Sequence, residues 1–496
     1  MTSGPGQIDQ TTALGQDPGA TPNPHYLAGI LILAVLLLWL LPLRSSLWLD
    51  ETGTYWTIKD GPATAFHRAL TIQGQSPLYY MLAWLALELG GRSEIVLRLP
   101  STLALAWALL LLYRLGSELF DRRIGLLATI GFALHPGVVF AASDARPYAI
   151  ALAFTVASIL ALVRWLKHGR RLDAASYVLS ATVMIYAHYL FGVMLLVHAV
   201  YALWSARPRG PVSPRALCIA AGLLVVAVAP LTLQLVSLAR RSADFSFAPE
   251  ASLALLLRVL APAIIPFSML LARDRFRRLG GGSRLPDLIL LLSWSVVPPA
   301  LLFAITLVTP SRVFLARYFL AAAPGLALLT ACAVRAIGST RGRMALITAL
   351  AALWITVFME GDQRSQDWRS AATAVHSLVG SPETPVLVRS GLIQSRQQAW
   401  LEDGVAATFL VAPFAFYPVG GTPLPLPWSV DDVTHAYLED LAKRLEQHDR
   451  FVLVTNGSPE VFREWLDRRM ANLRFPSHPV ATFGRVSVVL FERRPP

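Results

Sequence analysis

Tyr26 to Leu43 is an uncharged apolar run, and Ser46-Leu47-Trp48-Leu49-Asp50-Glu51-Thr52-Gly53-Thr54-Tyr55-Trp56 follows it almost at once. The first stretch approaches the roughly 20 apolar residues that cross the hydrocarbon core of a bilayer. The second sets two adjacent carboxylates among Trp48, Tyr55 and Trp56, aromatic side chains of the kind that settle at headgroup level. Such a pair offers a base, or an acidic metal ligand, at a membrane surface; the plainer alternative is a solvated loop beside belt anchors.

Working outward, apolar stretches of spanning length begin near Tyr26, Pro100, Arg123, Tyr148, Ala174, Phe191, Arg215, Ala251, Asp287, Phe319 and Met344. With 55% hydrophobic and only 15% charged residues, the chain reads as a polytopic α-helical membrane protein of about eleven transmembrane helices. Residues 1–24 carry no Lys or Arg and lack a signal-peptide pattern; they read as a disordered cytoplasmic tail. The net charge of +12 would suggest nucleic acid elsewhere, but residues 1–360 hold 29 Lys+Arg against 16 Asp+Glu, while 361–496 hold 14 against 15. The excess therefore belongs to the membrane part, where it follows topology, and no nucleic-acid partner is expected. Cys218 and Cys332 fall inside apolar spans and argue neither a disulfide nor a thiolate metal site.

A cytoplasmic N-terminus puts Arg114/Arg122/Arg123, Arg164/Lys167/Arg170/Arg171, Arg207/Arg209/Arg215, Arg273/Arg275/Arg277/Arg278/Arg284 and Arg335/Arg341/Arg343 in inward loops. Positive charge inside fixes that orientation. Asp50, Asp144, His188, Arg312, Arg317 and everything beyond 361 then share the extracytoplasmic side. Leu78 to Gly90 is apolar but too short to span, so it reads as an interfacial helix within a large first outer loop, 44–98.

From 361 to 496 the pattern becomes that of a soluble, extracytoplasmic α/β domain. Helices are expected over Ala371–Leu378, Val433–Glu446 and from Ser458-Pro459-Glu460, and strands over Pro385–Arg389, Phe451–Thr455 and Arg485–Arg494. Proline-rich Ala412–Trp428 reads as loop. No phosphate loop, metal-ligand spacing or nucleophile elbow occurs here, so the domain is expected to help bind an acceptor. Arg364, Asp367, Trp368 and Arg369 are read as a helix-start ion pair before a substrate contact.

Three further outer-face clusters carry polar chemistry. In Ser143-Asp144-Ala145-Arg146-Pro147-Tyr148, a carboxylate and a guanidinium between two spans must be paired, hydrated or used. His188, flanked by Tyr186 and Tyr189, is either an interfacial hydrogen-bonding residue or a ligand-binding one. Arg312 and Arg317-Tyr318 run against the inward bias of the other arginines and call for an anion; phosphate of a substrate and lipid headgroups are both open.

The chain resembles the multi-spanning glycosyltransferases of the GT-C class, in the branch with protein mannosyltransferases, aminoarabinose transferases and Rgt-type transferases (glycosyltransferase family 39-like). The resemblance runs over about residues 25–375. It is carried by Trp48 to Tyr55, Ser76-Pro77-Leu78-Tyr79-Tyr80, Arg98-Leu99-Pro100-Ser101 and Ser143 to Tyr148, with Tyr186 to Tyr189, Arg317-Tyr318 and Asp367-Trp368-Arg369 in support. It implies a bacterial inner-membrane enzyme that moves a sugar from a polyprenyl-phosphate donor to a lipid, polysaccharide or protein acceptor. It also implies that Asp50 is the catalytic first-loop carboxylate, Asp144 the second-loop acid, and that Arg317-Tyr318 lies near the donor phosphate. Thr52 follows Glu51 where the family often has alanine after its acidic pair, and Ser143-Asp144 stands where many members have Gln-Glu.

The expected reaction is an inverting displacement with Asp50 as base, Glu51 and Asp144 beside it, and Tyr55, Tyr79, Tyr80, Arg146, His188, Arg312, Arg317 and Tyr318 binding substrate. A divalent cation between Asp50 and Asp144 is compatible with the residues but not required. A flippase would place ionisable groups at mid-membrane and repeat its halves; here, apart from Arg258, the charges crowd the outer face and no internal repeat is evident, while a non-catalytic scaffold would make Asp50 and Asp144 dispensable.

Overall fold

The computed structural model describes residues 24–205, 210–240, 252–271, 285–310, 312–358 and 365–494. The expected tail up to residue 23, the inner-loop arginines 207, 209, 273, 275, 277, 278 and 284, and Arg364 lie outside these residues.

Helix α1 (Pro24–Leu40) turns through 63° into α2 (Leu49–Ile58), and α3 (Pro62–Thr71) and α4 (Pro77–Gly90) complete segment 44–98. A single long helix, α5 (Glu94–Leu119), precedes α6 (Arg122–Ala133) and α7 (Pro136–Ala142), two arms bent by 70°. Next come α8 (Tyr148–His168), α9 (Arg171–Ala187), α10 (Met194–Ser205), and α11 (Pro214–Val228) bent by 63° into α12 (Leu231–Arg240). The apolar part ends with α13 (Leu253–Leu271), α14 (Leu285–Val308), α15 (Ala323–Ala336) behind a 3-10 turn over Ala316–Ala322, and α16 (Thr340–Phe358).

All eleven stretches expected to span fall on these helices. Five units, namely α5, α8, α13, α14 and Ala316–Ala336, are long and apolar enough to cross a membrane alone, and the three bent pairs raise this to eight. The remaining stretches are α9, α10 with its leading turn, and α16. Two of the three bends coincide with a proline, Pro136 or Pro230, whose missing N–H interrupts the helical ladder; the first falls in the break between Arg44 and Leu49. Close packing relies on small residues: a Cβ on Gly116 of α5 would lie 2.6 Å from the Cα of Gly125 in α6.

Residues 365–494 form α17 (Trp368–Leu378), β1 (Pro385–Arg389), the short helices α18 (Gln398–Glu402), α19 (Gly404–Leu410) and α20 (Ala412–Phe416), and β2 (Thr422–Pro425). They continue through α21 (His435–Leu445), β3 (Arg450–Asn456), α22 (Glu460–Met470), β4 (Ser477–Phe483) and β5 (Val486–Glu492). The sheet order is β2-β1-β3-β5-β4, with β2, β1 and β3 parallel and β5 antiparallel to both neighbours. Alternation divides the central strands. Val386, Val388, Val452, Val454, Val486 and Val488 join the core continuous with the membrane part, while Leu387, Leu453, Phe451, Val489 and Phe491 pack with α21 and α22.

Ala412–Trp428, expected as loop, contains α20 and β2. Thr422 and Leu426 donate to the Thr384 and Val388 carbonyls at 2.9 Å, so the prolines at 423 and 425 occupy the alternate positions whose nitrogens face away from β1. Proline spaced by two is compatible with an outermost strand. The expectation at Ser458 shifts by one residue: Pro459 is the cap of α22, and the Ser458 hydroxyl accepts from the Glu460 amide at 3.3 Å.

Candidate active site

Leu49, Asp50 and Glu51 form the first turn of α2. Consecutive helical residues point about 100° apart, so the two carboxylates part company. Glu51 turns inward: it is wholly buried, its carboxylate accepts the Trp48 amide at 3.1 Å in the manner of a capping box, and it accepts the Ala145 amide at 2.9 Å. Arg98, equally buried, grips it with two N–H groups, Nε to Oε1 at 2.6 Å and Nη2 to Oε2. The rest of that guanidinium ties down the incoming chain, donating to the carbonyls of Pro42, Leu43 and Ser45 at 2.8–3.0 Å and of Ser46 at 3.1 Å.

This pair is the joint between three of the sequence clusters, and hydroxyls close the remaining gaps. Thr54 donates to the Ala145 carbonyl at 2.9 Å, Thr102 to Ala142 at 2.7 Å, and Ser101 to Arg146 at 3.3 Å, with the Tyr79 hydroxyl 3.4 Å from Ser101. The Trp48 indole donates to Asp144 at 2.9 Å, and both residues are buried. The loop 143–147 is thereby fixed against α2.

Asp50 faces the other way, and its side chain is 26% exposed. Arg317, on the 3-10 turn before α15 and 17% exposed, donates to it at 3.3 Å. Around them stands an aromatic wall. The Arg317 guanidinium lies 5.5 Å from the Tyr318 ring, His188 lies 5.0 Å from Tyr148 and 5.5 Å from Tyr318, and Tyr148 and Tyr318 are 6.3 Å apart.

Arg146 is the second cation. Burial alone would lower its pKa, but Tyr80, Asp50, Tyr148 and Asp144 around it raise it above the ordinary arginine value, so it stays charged. It reaches the Tyr80 hydroxyl at 3.5 Å, and burial pushes that hydroxyl up to about 12. Tyr80 donates in turn to Gln75 at 3.2 Å; Gln234 of α12 donates to the Gln75 carbonyl at 3.1 Å and accepts from Tyr189.

The remaining sequence candidates spread out. Tyr79 is buried behind Tyr80, with their rings 6.0 Å apart. Tyr55 stacks edge-on with Phe416 at 4.8 Å under the Arg92 guanidinium, away from Arg317. Arg312 is exposed. Asp367 caps α17 through the Ser370 amide at 3.1 Å, and Arg369 pairs with Glu94 at 2.6 Å, so this segment forms a helix start and an ion pair with a different partner than adjacency suggested.

Among the described residues no three His, Cys, Asp or Glu side chains gather as a metal-ligating group. Asp50 faces a guanidinium and Asp144 accepts an indole N–H.

Residues 74–233 match the family described as dolichyl-phosphate-mannose-protein mannosyltransferase. No curated protein sequence matches significantly. Among solved structures, ArnT from Cupriavidus metallidurans is similar in its apo state, with 14% identity over 94% of this chain and 98% of that one, at a TM-score of 0.55. The same protein bound to undecaprenyl phosphate gives 14%, the same coverage and 0.54. The arabinofuranosyltransferase AftD from Mycobacteria gives 16% identity over 95% of this chain but 42% of its own length, at 0.51. The chain shares the fold of ArnT and AftD, and the mannosyltransferase family matched by residues 74–233 agrees with the transferase class read from the sequence.

Proposed function

We propose that the protein transfers a sugar from a polyprenyl-phosphate donor to an acceptor hydroxyl at the extracytoplasmic face of a bacterial inner membrane. The meeting of Asp50 with Arg317 at 3.3 Å inside an aromatic wall is the observation that carries this reading. It joins an acid, a phosphate-binding cation and apolar sugar-facing surfaces in one partly open place.

Asp50 accepts the proton of the acceptor hydroxyl as its oxygen attacks the anomeric carbon. The bond from that carbon to the phosphate oxygen breaks, and the configuration inverts. Polyprenyl phosphate leaves without needing an acid, in contrast to a glycosidase leaving group. Arg317 stabilises the charge growing on the phosphate; one such donor is worth about 3 to 4 kcal/mol. Arg146, kept charged by its acidic neighbours, with Tyr80, Tyr148, His188 and Tyr318, lines the sugar side. Asp144, held by Trp48, orients the loop that bears Arg146. Glu51 serves as an anchor for α2, since Arg98 and two amides occupy it.

The undecaprenyl phosphate held by the similar ArnT supports the donor class. The basic inner loops support the orientation, with residues 361–496 as an extracytoplasmic domain and 44–98 as an outer segment. The test is to incubate purified protein with a panel of polyprenyl-phosphate sugars and follow release of polyprenyl phosphate. Release with none of them, or unchanged envelope glycans in cells carrying Asp50→Asn at normal protein level, would favour a scaffold.

A further inference from the structure

The start of α2 leaves backbone N–H groups that no earlier turn can accept, as at every helix start. Trp48 donates to Glu51 within the helix itself. The amides on either side of it find acceptors more than 300 residues away. Leu49 donates to the side-chain oxygen of Gln366 at 3.0 Å, and Leu47 donates to the Tyr417 hydroxyl at 2.9 Å. All four groups are buried.

Neither acceptor is loose. The same Gln366 oxygen takes the Trp368 indole N–H at 3.2 Å, and Trp368 is wholly buried in the core. The Tyr417 hydroxyl donates a hydrogen bond to Glu94 at 2.9 Å, the carboxylate that pairs with Arg369. Arg369 also donates to the Arg44 carbonyl at 2.9 Å, and its amide to the Ser46 hydroxyl at 3.2 Å. The sheet-bearing part thus grips residues 44–49 on one side while Arg98 grips them on the other. Asp50 is the next residue, so this double grip, together with the Glu51 and Thr54 contacts to Ala145, sets the pitch of the turn that aims it.

We propose that Gln366 and Tyr417 are positioning residues for the reaction: they cap the helix that bears the base and aim Asp50 at Arg317 and the substrate. The reading assigned above for Asp50 underlies this one. It gives the C-terminal region a duty in the chemical step, beyond acceptor binding.

The test uses the full-length protein in lipid nanodiscs, with undecaprenyl-phosphate-linked sugars as donors and undecaprenyl phosphate binding counted separately. Gln366→Leu removes the acceptor, and Gln366→Glu keeps an oxygen that the positive end of α2 welcomes. Tyr417→Phe deletes one hydroxyl. Expected is a fall in kcat per binding site of roughly tenfold or more for Gln366→Leu, as small misplacements of a reacting group cost heavily. Undecaprenyl phosphate affinity stays within about twofold of the parent, Gln366→Glu recovers most of the rate, and Tyr417→Phe falls between. General destabilisation would lower the number of binding sites and leave the rate per site alone. Parent-like kcat per site in both Gln366→Leu and Tyr417→Phe overturns the proposal, as does Gln366→Glu being as slow as Gln366→Leu. If Gln366→Leu does not fold, Tyr417→Phe at full rate decides against it. Asp50→Asn is run alongside: if it is active, the base assignment fails; if it is inactive while the capping variants run at full rate, only the positioning role fails.

Discussion

Asp50 and Arg317 lie 267 residues apart in the chain and 3.3 Å apart in space, one in the first turn of α2, the other on the turn that leads into α15. Neither side chain is fully buried. Replacing Arg317 with alanine should slow polyprenyl phosphate release roughly hundred- to thousandfold, the usual cost of one donor to a developing oxyanion. Arg317→Lys should recover part of that, since it restores the charge but not the planar fork. Steady-state kinetics on a donor the parent turns over will show either pattern, and parent-like rates for Arg317→Ala would remove it from the phosphate.

Asp50→Asn keeps the size of the side chain and removes its capacity to take a proton. Transfer should fall by roughly hundred- to ten-thousandfold while undecaprenyl phosphate still binds. Native mass spectrometry or a lipid-binding assay separates the two effects, and loss of binding together with turnover would assign Asp50 to donor recognition instead.

Glu51 should behave differently from its neighbour. Its pair with Arg98 is wholly buried, and cutting one partner from such a pair typically costs about 3 to 5 kcal/mol because the other charge stays buried alone. Arg98→Ala should therefore lower the unfolding temperature and yield, and the double change Glu51→Leu with Arg98→Met should regain much of the lost stability. A folded, thermally normal Glu51→Gln with no turnover would instead return Glu51 to the chemistry.

Tyr417 supplies a pH signature. Burial, aided by the nearby Glu94 carboxylate, pushes its hydroxyl up to about 12, from an ordinary value near 10. The folded state therefore holds a proton that the unfolded chain gives up first. Its contribution to stability is complete below about pH 10 and is lost as the pH climbs towards 12. Chemical unfolding followed across that range should steepen downward for the parent and less so for Tyr417→Phe; identical slopes would mean the hydroxyl is not buried as described.

Most of the helical plan could be read directly, because a membrane demands long apolar runs and marks their ends with charge. Asp50, Arg146 and Arg317 could be read for the same reason: a cation or acid at such a boundary is conspicuous. Adjacency of Asp50 and Glu51 in sequence hides that their side chains part, since one step along a helix turns the next side chain by about 100°. Arg98 sat in plain view in Arg-Leu-Pro-Ser, and a charge inside an apolar run requires a buried partner; only the fold shows that the partner is Glu51. Gln366 and Tyr417 gave no local signal at all, since a backbone amide needing an acceptor leaves no mark on the residues that answer it. The same blindness hid β2, whose prolines read as a loop until the parallel register with β1 is seen.

That proline spacing has an effect beyond the molecule. The outer side of β2 offers Pro423 and Pro425 where another chain would look for amide donors, so this flank of the sheet cannot accept an incoming strand. Neighbouring copies are thereby hindered from knitting their sheets together along that side.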